Sequence, residues 1–403
     1  MRLPGAFKFR DFTLLWFGLL ISNLGTWMQI TAVGYLVVKL AGSDQLGSFY
    51  VGVIGLARAV PVLLLSPVAG VLADKLPRRR VLFVTNSVLS VAALTLAILT
   101  FSGAATIWAI AVISIVNSAA QAFDTPARQS WVPLMVDREY VGNAIGLNSV
   151  AFNAPAVVGP AISGLLIAYA GISISFFVNA AATLAVVAAL LFMTPAPPSS
   201  TTRESFVGSL IGGLRFLWEH PILQSIMVFF ALTALFVRPY GILLPSYALN
   251  YLHTNSLGYG WAYAAQGLGA FGGALLTATL GSREGRGRMW LWTGGLMCVG
   301  VAALGFTRQL AVAMPILTVI GVAQLAFMGA SNILIQMLSS DELRGRAVAV
   351  YSMTALGIVP AGAFLVGGLG SVFGLDRVFA LFGVLCALVL AVIWLRRPIV
   401  RTV

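Results

Sequence analysis

Charged positions along this chain gather into short clusters separated by long apolar runs. No Lys, Arg, Asp or Glu interrupts the 27 residues from Phe12 to Val38, the 43 from Val81 to Phe123, or the 63 from Tyr140 to Thr202. Further charge-free runs cover Pro239 to Ser282, Met289 to Thr307, Gln309 to Ser340, Ala347 to Leu375 and Val378 to Leu395. A helix crossing a ~30 Å hydrocarbon core needs ~20 largely apolar residues, because lipid offers no partner to an exposed backbone group. Small, turn-prone stretches such as Ser102-Gly103-Ala104-Ala105 and Ala170-Gly171 cut the long runs. The pattern predicts an all-α integral membrane protein with twelve transmembrane helices, near 12–38, 47–73, 81–101, 106–123, 142–170, 173–194, 222–249, 257–280, 289–306, 311–338, 345–370 and 377–395.

Composition agrees, with 59% hydrophobic and 9% charged residues against roughly 25% charged in soluble domains. The net charge of +12 would suggest nucleic acid in a soluble protein. Its distribution points elsewhere. With twelve spans, 19 of the 24 basic residues fall in the two tails and the loops on the same side, against three on the other face: Lys39, Arg308 and Arg377. That asymmetry predicts both termini in the cytoplasm and no nucleic-acid partner. The first run is too long for a secretory signal and is followed by eleven more. Cys298 and Cys386 fall mid-span and read as small buried apolar residues.

Two halves are expected. Residues 1–194 form an N-terminal six-helix bundle and 222–403 a C-terminal one. The linker 195–221 opens with Pro and Ser, then places Phe206, Leu210, Leu214, Leu217 and Trp218 at the spacing of an amphipathic surface helix. An offset of 203 carries Gly159 onto Gly362 and Gly164 onto Gly367, and an offset of 208 carries Arg78 onto Arg286. An internal repeat of this kind predicts pseudo-symmetric bundles with a binding site at their interface.

The loop Gly70-Val-Leu-Ala-Asp74-Lys75-Leu-Pro77-Arg78-Arg79-Arg80 resembles the conformational-switch loop of the major facilitator superfamily, with Pro77 in place of a glycine. Span 5 carries Gly159-Pro160-Ala-Ile-Ser163-Gly164, similar to that superfamily's antiporter element, which would bend the helix and let a neighbour pack closely. Phe123-Asp124-Thr-Pro126-Ala-Arg128, Gly213-Leu-Arg215-Phe-Leu-Trp218 and Asp341-Glu342-Leu-Arg344-Gly345-Arg346 resemble its enterobactin-exporter-like, or transmembrane secretion effector, branch. The resemblance implies a monomer in the bacterial inner membrane, exporting a small organic molecule such as a siderophore or drug. It further implies alternating access at a central cavity and protons as coupling ion.

Charges within spans are costly and functional by default. Arg58 lies 16 residues before Asp74, roughly 24 Å along a helix, and Arg238 lies at a similar depth in span 7. Each is expected either to face the cavity, binding an anionic or catecholic group or gating its outer end, or to be a structural arginine bonded to helix carbonyls. Asn23, Trp27, Gln121, Gln266 and Asn332 are the uncharged cavity candidates, mid-span on lining helices. Every carboxylate reads as lying at a span end or in a loop. Asp124, and then Asp74, are the nearest proton-coupling candidates. Gly267-Leu-Gly269-Ala-Phe-Gly272 satisfies a nucleotide fingerprint only literally, with no strand before it. With two histidines, no metal or other cofactor and no enzymatic centre is expected. An importer on the same fold, a membrane enzyme and a channel are the alternatives.

Overall fold

The computed structural model describes residues 5–193, 214–280 and 285–396. The side chains of Gly70 and Asp74 and most of the expected linker helix lie outside the described residues. All regular structure among the described residues is helical. Six long helices come first: α1 Arg10–Leu40, α2 Asp44–Lys75, α3 Arg78–Phe101, α4 Ile107–Trp131, α5 Val141–Ala170 and α6 Ile172–Leu191. Then follow α7 Pro221–Phe236, α8 Tyr240–Ser246, α9 Ser256–Leu280, α10 Arg286–Leu304, α11 Leu310–Leu338, α12 Asp341–Phe373 and α13 Leu375–Arg396. Nine segments of the described residues are long and apolar enough to cross a membrane, with Pro221–Tyr251 counted as one. α1, α9 and α10 are also at least 19 residues long.

Two expectations about the elements change. The fourth span does not end at residue 123: α4 continues to Trp131 through Pro126, so Asp124 is a helical residue and not part of a loop. The seventh span is broken between Phe236 and Tyr240. Pro239 has no N–H to donate and its ring crowds the carbonyl four residues back. The Arg238 amide turns past the Ala234 carbonyl to that of Thr233 at 2.8 Å, beside the ordinary helical bond from Val237 at 3.0 Å. The carbonyl of Leu235, whose helical donor would be the amide of residue 239, has none there, and Gly362 lies against it so closely that a Cβ would collide.

The helices form two compact units. Unit 1 comprises Met1–Leu36 with Ala57–Arg203, and unit 2 comprises Val37–Leu56 with Glu204–Val403. α2 is therefore shared: its first part packs in unit 2, where the Ser48 and Ser246 hydroxyls meet at 2.7 Å and Asn250 Nδ2 donates to the Asp44 carbonyl at 2.9 Å.

In unit 1, Phe12, Leu15 and Leu19 of α1 pack with Leu82, Ala127, Trp131, Val186 and Leu190. The residues ahead of α1 are tied to α5, the Ala6 amide donating to Asn143 Oδ1 at 2.8 Å and Lys8 Nζ to the Tyr140 hydroxyl at 2.9 Å. That last bond raises the Lys8 pKa above its ordinary value. Unit 2 is built on aromatic rings: Phe229 and Trp290 at 5.4 Å, Phe229 and Phe327 at 5.6 Å, and Phe230 and Tyr351 at 4.6 Å. Such pairs add about 0.5–1.5 kcal/mol each beyond burial. Between α9 and α11 there is no room for side chains. Gly269 and Gly273 lie against the carbonyls of Thr318 and Val322, so the apparent nucleotide fingerprint is a close helix crossing of the Gly-x-x-x-Gly kind.

Candidate functional site

Each unit holds a polar group of residues around one intramembrane arginine. In unit 1, Arg58 of α2 lines a small cavity of about 30 Å³ together with Thr26 and Gln29 of α1 and Ser114, Asn117, Ser118 and Gln121 of α4. That is room for about two waters. The lining carries no carboxylate. Asn117 Oδ1 is buried without a hydrogen-bond partner, while Gln29 Oε1 accepts from Asn179 Nδ2 at 2.6 Å. Thr26 and Gln29 are three residues apart, and Ser114, Ser118 and Gln121 are three and four apart, so each set lies on one helix face.

In unit 2, Arg238 sits in the break between α7 and α8, only 8% exposed. Its guanidinium carbon lies 5.3 Å from the centre of the Phe230 ring. Neither Nε nor Nη1 has a hydrogen-bond partner, and the Tyr240 hydroxyl and Gln266 Oε1 are buried and unsatisfied as well. Two neighbouring tyrosines are already committed: Tyr351 donates to the Met328 carbonyl at 2.9 Å and Tyr263 to the Gly241 carbonyl at 3.2 Å. Bonding to helix carbonyls, the structural alternative for Arg238, is absent at those two nitrogens. The break is what places the arginine here, since an uninterrupted helix would continue the phase of α7 through residue 238.

The other candidates separate into packing and polar roles. Asn23 donates to the Ala151 carbonyl at 3.0 Å, and Trp27 is the side chain against which Gly159 packs, 2.8 Å from where a Cβ would stand. Gly159 and Gly362 thus play matching parts, closing α5 onto α1 and α12 onto α7 within their own units. Pro160 and Gly164 are buried inside α5, which remains helical through both. Asn332 accepts from Gln336 Nε2 at 2.6 Å. Arg78 is buried and donates from Nε to Ser130 Oγ at 3.0 Å. Asp124, placed by sequence at a span end, is a buried member of a network: Oδ1 accepts from Asn86 at 2.7 Å and Thr85 at 3.1 Å, and Oδ2 lies 3.8 Å from Arg128 Nε.

Sequence reasoning passed over Thr26, Gln29, Ser114 and Ser118 as site residues, and did not single out Asn117. A signal existed, because Ser114, Ser118, Gln121, Asp124 and Arg128 recur every three or four residues along α4 and form one polar stripe.

The fold and these buried polar groups define a polytopic α-helical membrane protein. Among solved structures, the nucleoside transporter NupG matches 96% of this chain and 98% of its own with a TM-score of 0.76 at 14% identity. Residues 5–403 match the family described as transmembrane secretion effector, and the chain belongs to it, a branch of the major facilitator superfamily. The multidrug efflux pump Tap of Mycobacterium tuberculosis is 29% identical over 91% of this chain and 88% of its own length. The enterobactin exporter EntS of Shigella boydii is 26% identical over 86% and 84%.

Proposed function

We infer that this transporter exports a small organic molecule, a siderophore-like or drug-like compound, from the cytoplasm by alternating access. The observation that carries the reading is Arg238, a buried cation without a carboxylate beside it, next to the unsatisfied groups of Tyr240 and Gln266. A buried donor left unpaired costs about 1–3 kcal/mol, more when charged. Such groups persist in a membrane interior where a solute or water satisfies them during the working cycle. Arg58, in its polar cavity, is the second solute-facing cation. Export as the direction rests on similarity to relatives named as an efflux pump and an exporter.

In this reading residues 1–194 and 222–403 move as two halves joined by 195–221, in a functional monomer with both termini in the cytoplasm of a bacterial inner membrane. The loop bearing Gly70, Asp74 and Arg78 acts in the switch, Gly159, Pro160 and Gly164 shape α5, and Asp124 carries the coupling proton. Asn23, Trp27, Gln121, Gln266 and Asn332 complete the solute path.

Metabolites extruded by a deletion strain, by the same strain complemented with the wild type, and by strains complemented with Arg58→Ala or Arg238→Ala test this. Both variants are expected to reach the membrane at normal abundance and to fail in export. Wild-type export by both would remove these arginines from the solute path. In proteoliposomes the wild type is expected to exchange solute across the membrane by counterflow, which a channel does not do.

A further inference from the structure

A groove of about 580 Å³ runs along the outer surface of unit 1 between α3 and α4. Its walls are Val81, Val84 and Val88 on one helix and Val116, Ala119 and Phe123 on the other. Spacings of three and four residues put each trio on one helix face. Ala119 opens the space that a larger side chain would fill. From Arg80 to Val88 the groove follows α3 for about 12 Å, and Pro77 and Arg80 lie at its end.

The three consecutive arginines that open α3 are used differently. Arg78 donates to Ser130 Oγ, and Arg79 donates from Nε and Nη2 to the carbonyls of Leu190 and Leu191 at 2.7 and 3.0 Å, satisfying the end of α6. Arg80 is exposed and makes no side-chain hydrogen bond or ion pair among the described residues. A cation at the end of an apolar groove, on a surface bathed in lipid, has the chemistry of a phospholipid site. On the orientation inferred from the basic residues, this end faces the cytoplasmic leaflet, where anionic lipids gather.

We propose that the α3–α4 groove binds an anionic phospholipid, with one acyl chain between the helices and its phosphate on Arg80. A zwitterionic headgroup would bring its own ammonium toward Arg80 and lose the advantage. The chain would lie over Thr85, which lines the groove and donates to Asp124 Oδ1, one hydrogen bond from the buried acid. The inference does not depend on what solute is carried.

Native mass spectrometry of delipidated protein, titrated with dioleoyl phosphatidylglycerol or dioleoyl phosphatidylcholine, tests it. The wild type is expected to retain one phosphatidylglycerol more tightly than phosphatidylcholine. Arg80→Gln is expected to weaken phosphatidylglycerol about fivefold, the worth of one basic residue at the lipid surface. Ala119→Phe, which fills the groove and leaves every charge, is expected to remove it. Arg138→Gln, a control on an exposed residue away from the groove, is expected to change nothing.

Equal losses in Arg80→Gln and Arg138→Gln would overturn the proposal by showing diffuse charge attraction. Full retention by Ala119→Phe would overturn it by showing that no acyl chain enters. Displacement of the lipid by glycerol 3-phosphate would overturn it by showing a phosphate site alone. If Ala119→Phe does not fold, Arg80→Gln against Arg138→Gln still decides.

Discussion

At the scale of single residues, two arginines and one aspartate are the working groups we propose, and each is held differently. Arg58 shares a small polar cavity with neutral hydrogen-bonding groups. Arg238 rests on the face of Phe230 with two nitrogens unsatisfied. Asp124 is the opposite case, accepting two hydrogen bonds and lying within 3.8 Å of Arg128. Asp124→Asn would leave Arg128 as a buried cation without its counter-ion. Loss of one partner of a buried pair costs about 3 kcal/mol, so a lowered melting temperature is expected for the purified variant. If this carboxyl carries the coupling proton, the variant will still perform counterflow but will not accumulate solute against a gradient when a pH difference is imposed. Gradient-driven accumulation at the wild-type level would remove Asp124 from coupling. The arginines were legible in sequence because nothing else charged lies in an apolar run. The surroundings of Asp124 were not, because Thr85 and Asn86 lie 39 and 38 residues away and only packing of α3 on α4 brings them to it.

At the scale of elements, the break after α7 decides where Arg238 points. Proline in a helix interior costs about 3 kcal/mol, and here the chain accommodates it by turning the Arg238 amide to the Thr233 carbonyl and seating Gly362 on the carbonyl of Leu235. Pro239→Ala would let the helix run on. It is expected to raise the melting temperature and to reduce export, because residue 238 would then follow the phase of α7. A variant that transports like the wild type would show that the break is not needed. The proline was plain in the sequence, yet the run from Pro239 to Ser282 reads as uninterrupted apolar chain, and hydropathy does not register a missing amide. The Gly-x-x-x-Gly crossing of α9 on α11 was hidden in the same way. Glycine spacing becomes informative only when a second backbone lies against it.

At the scale of the whole molecule, the distribution of basic residues makes a prediction that requires no knowledge of the solute. Ser43, between α1 and α2, is expected outside the cell, and Asp137, between α4 and α5, inside. Ser43→Cys should react with a membrane-impermeant maleimide in intact cells, whereas Asp137→Cys should react only after permeabilisation. Native Cys298 and Cys386 are free but buried, so background labelling is expected to be low. The reverse pattern would invert the topology and, with it, the leaflet assigned to the α3–α4 groove.

Sequence by itself determined the helical membrane class, the repeat of Gly159 in Gly362 and the family. These depend on local hydropathy and on residue identities, which a linear reading contains. Tertiary structure alone decided that Gln29, Arg58 and Asn117 share one cavity, that Asp124 is a buried network member and not a loop acid, and that α2 divides between two units. It also separated Arg80 from Arg78 and Arg79, three neighbours identical in type. Each of these depends on which faces of distant helices meet, and in a chain this uniformly apolar the meeting faces are chosen by close packing of glycine, alanine and scattered polar groups, which hydrophobicity does not mark.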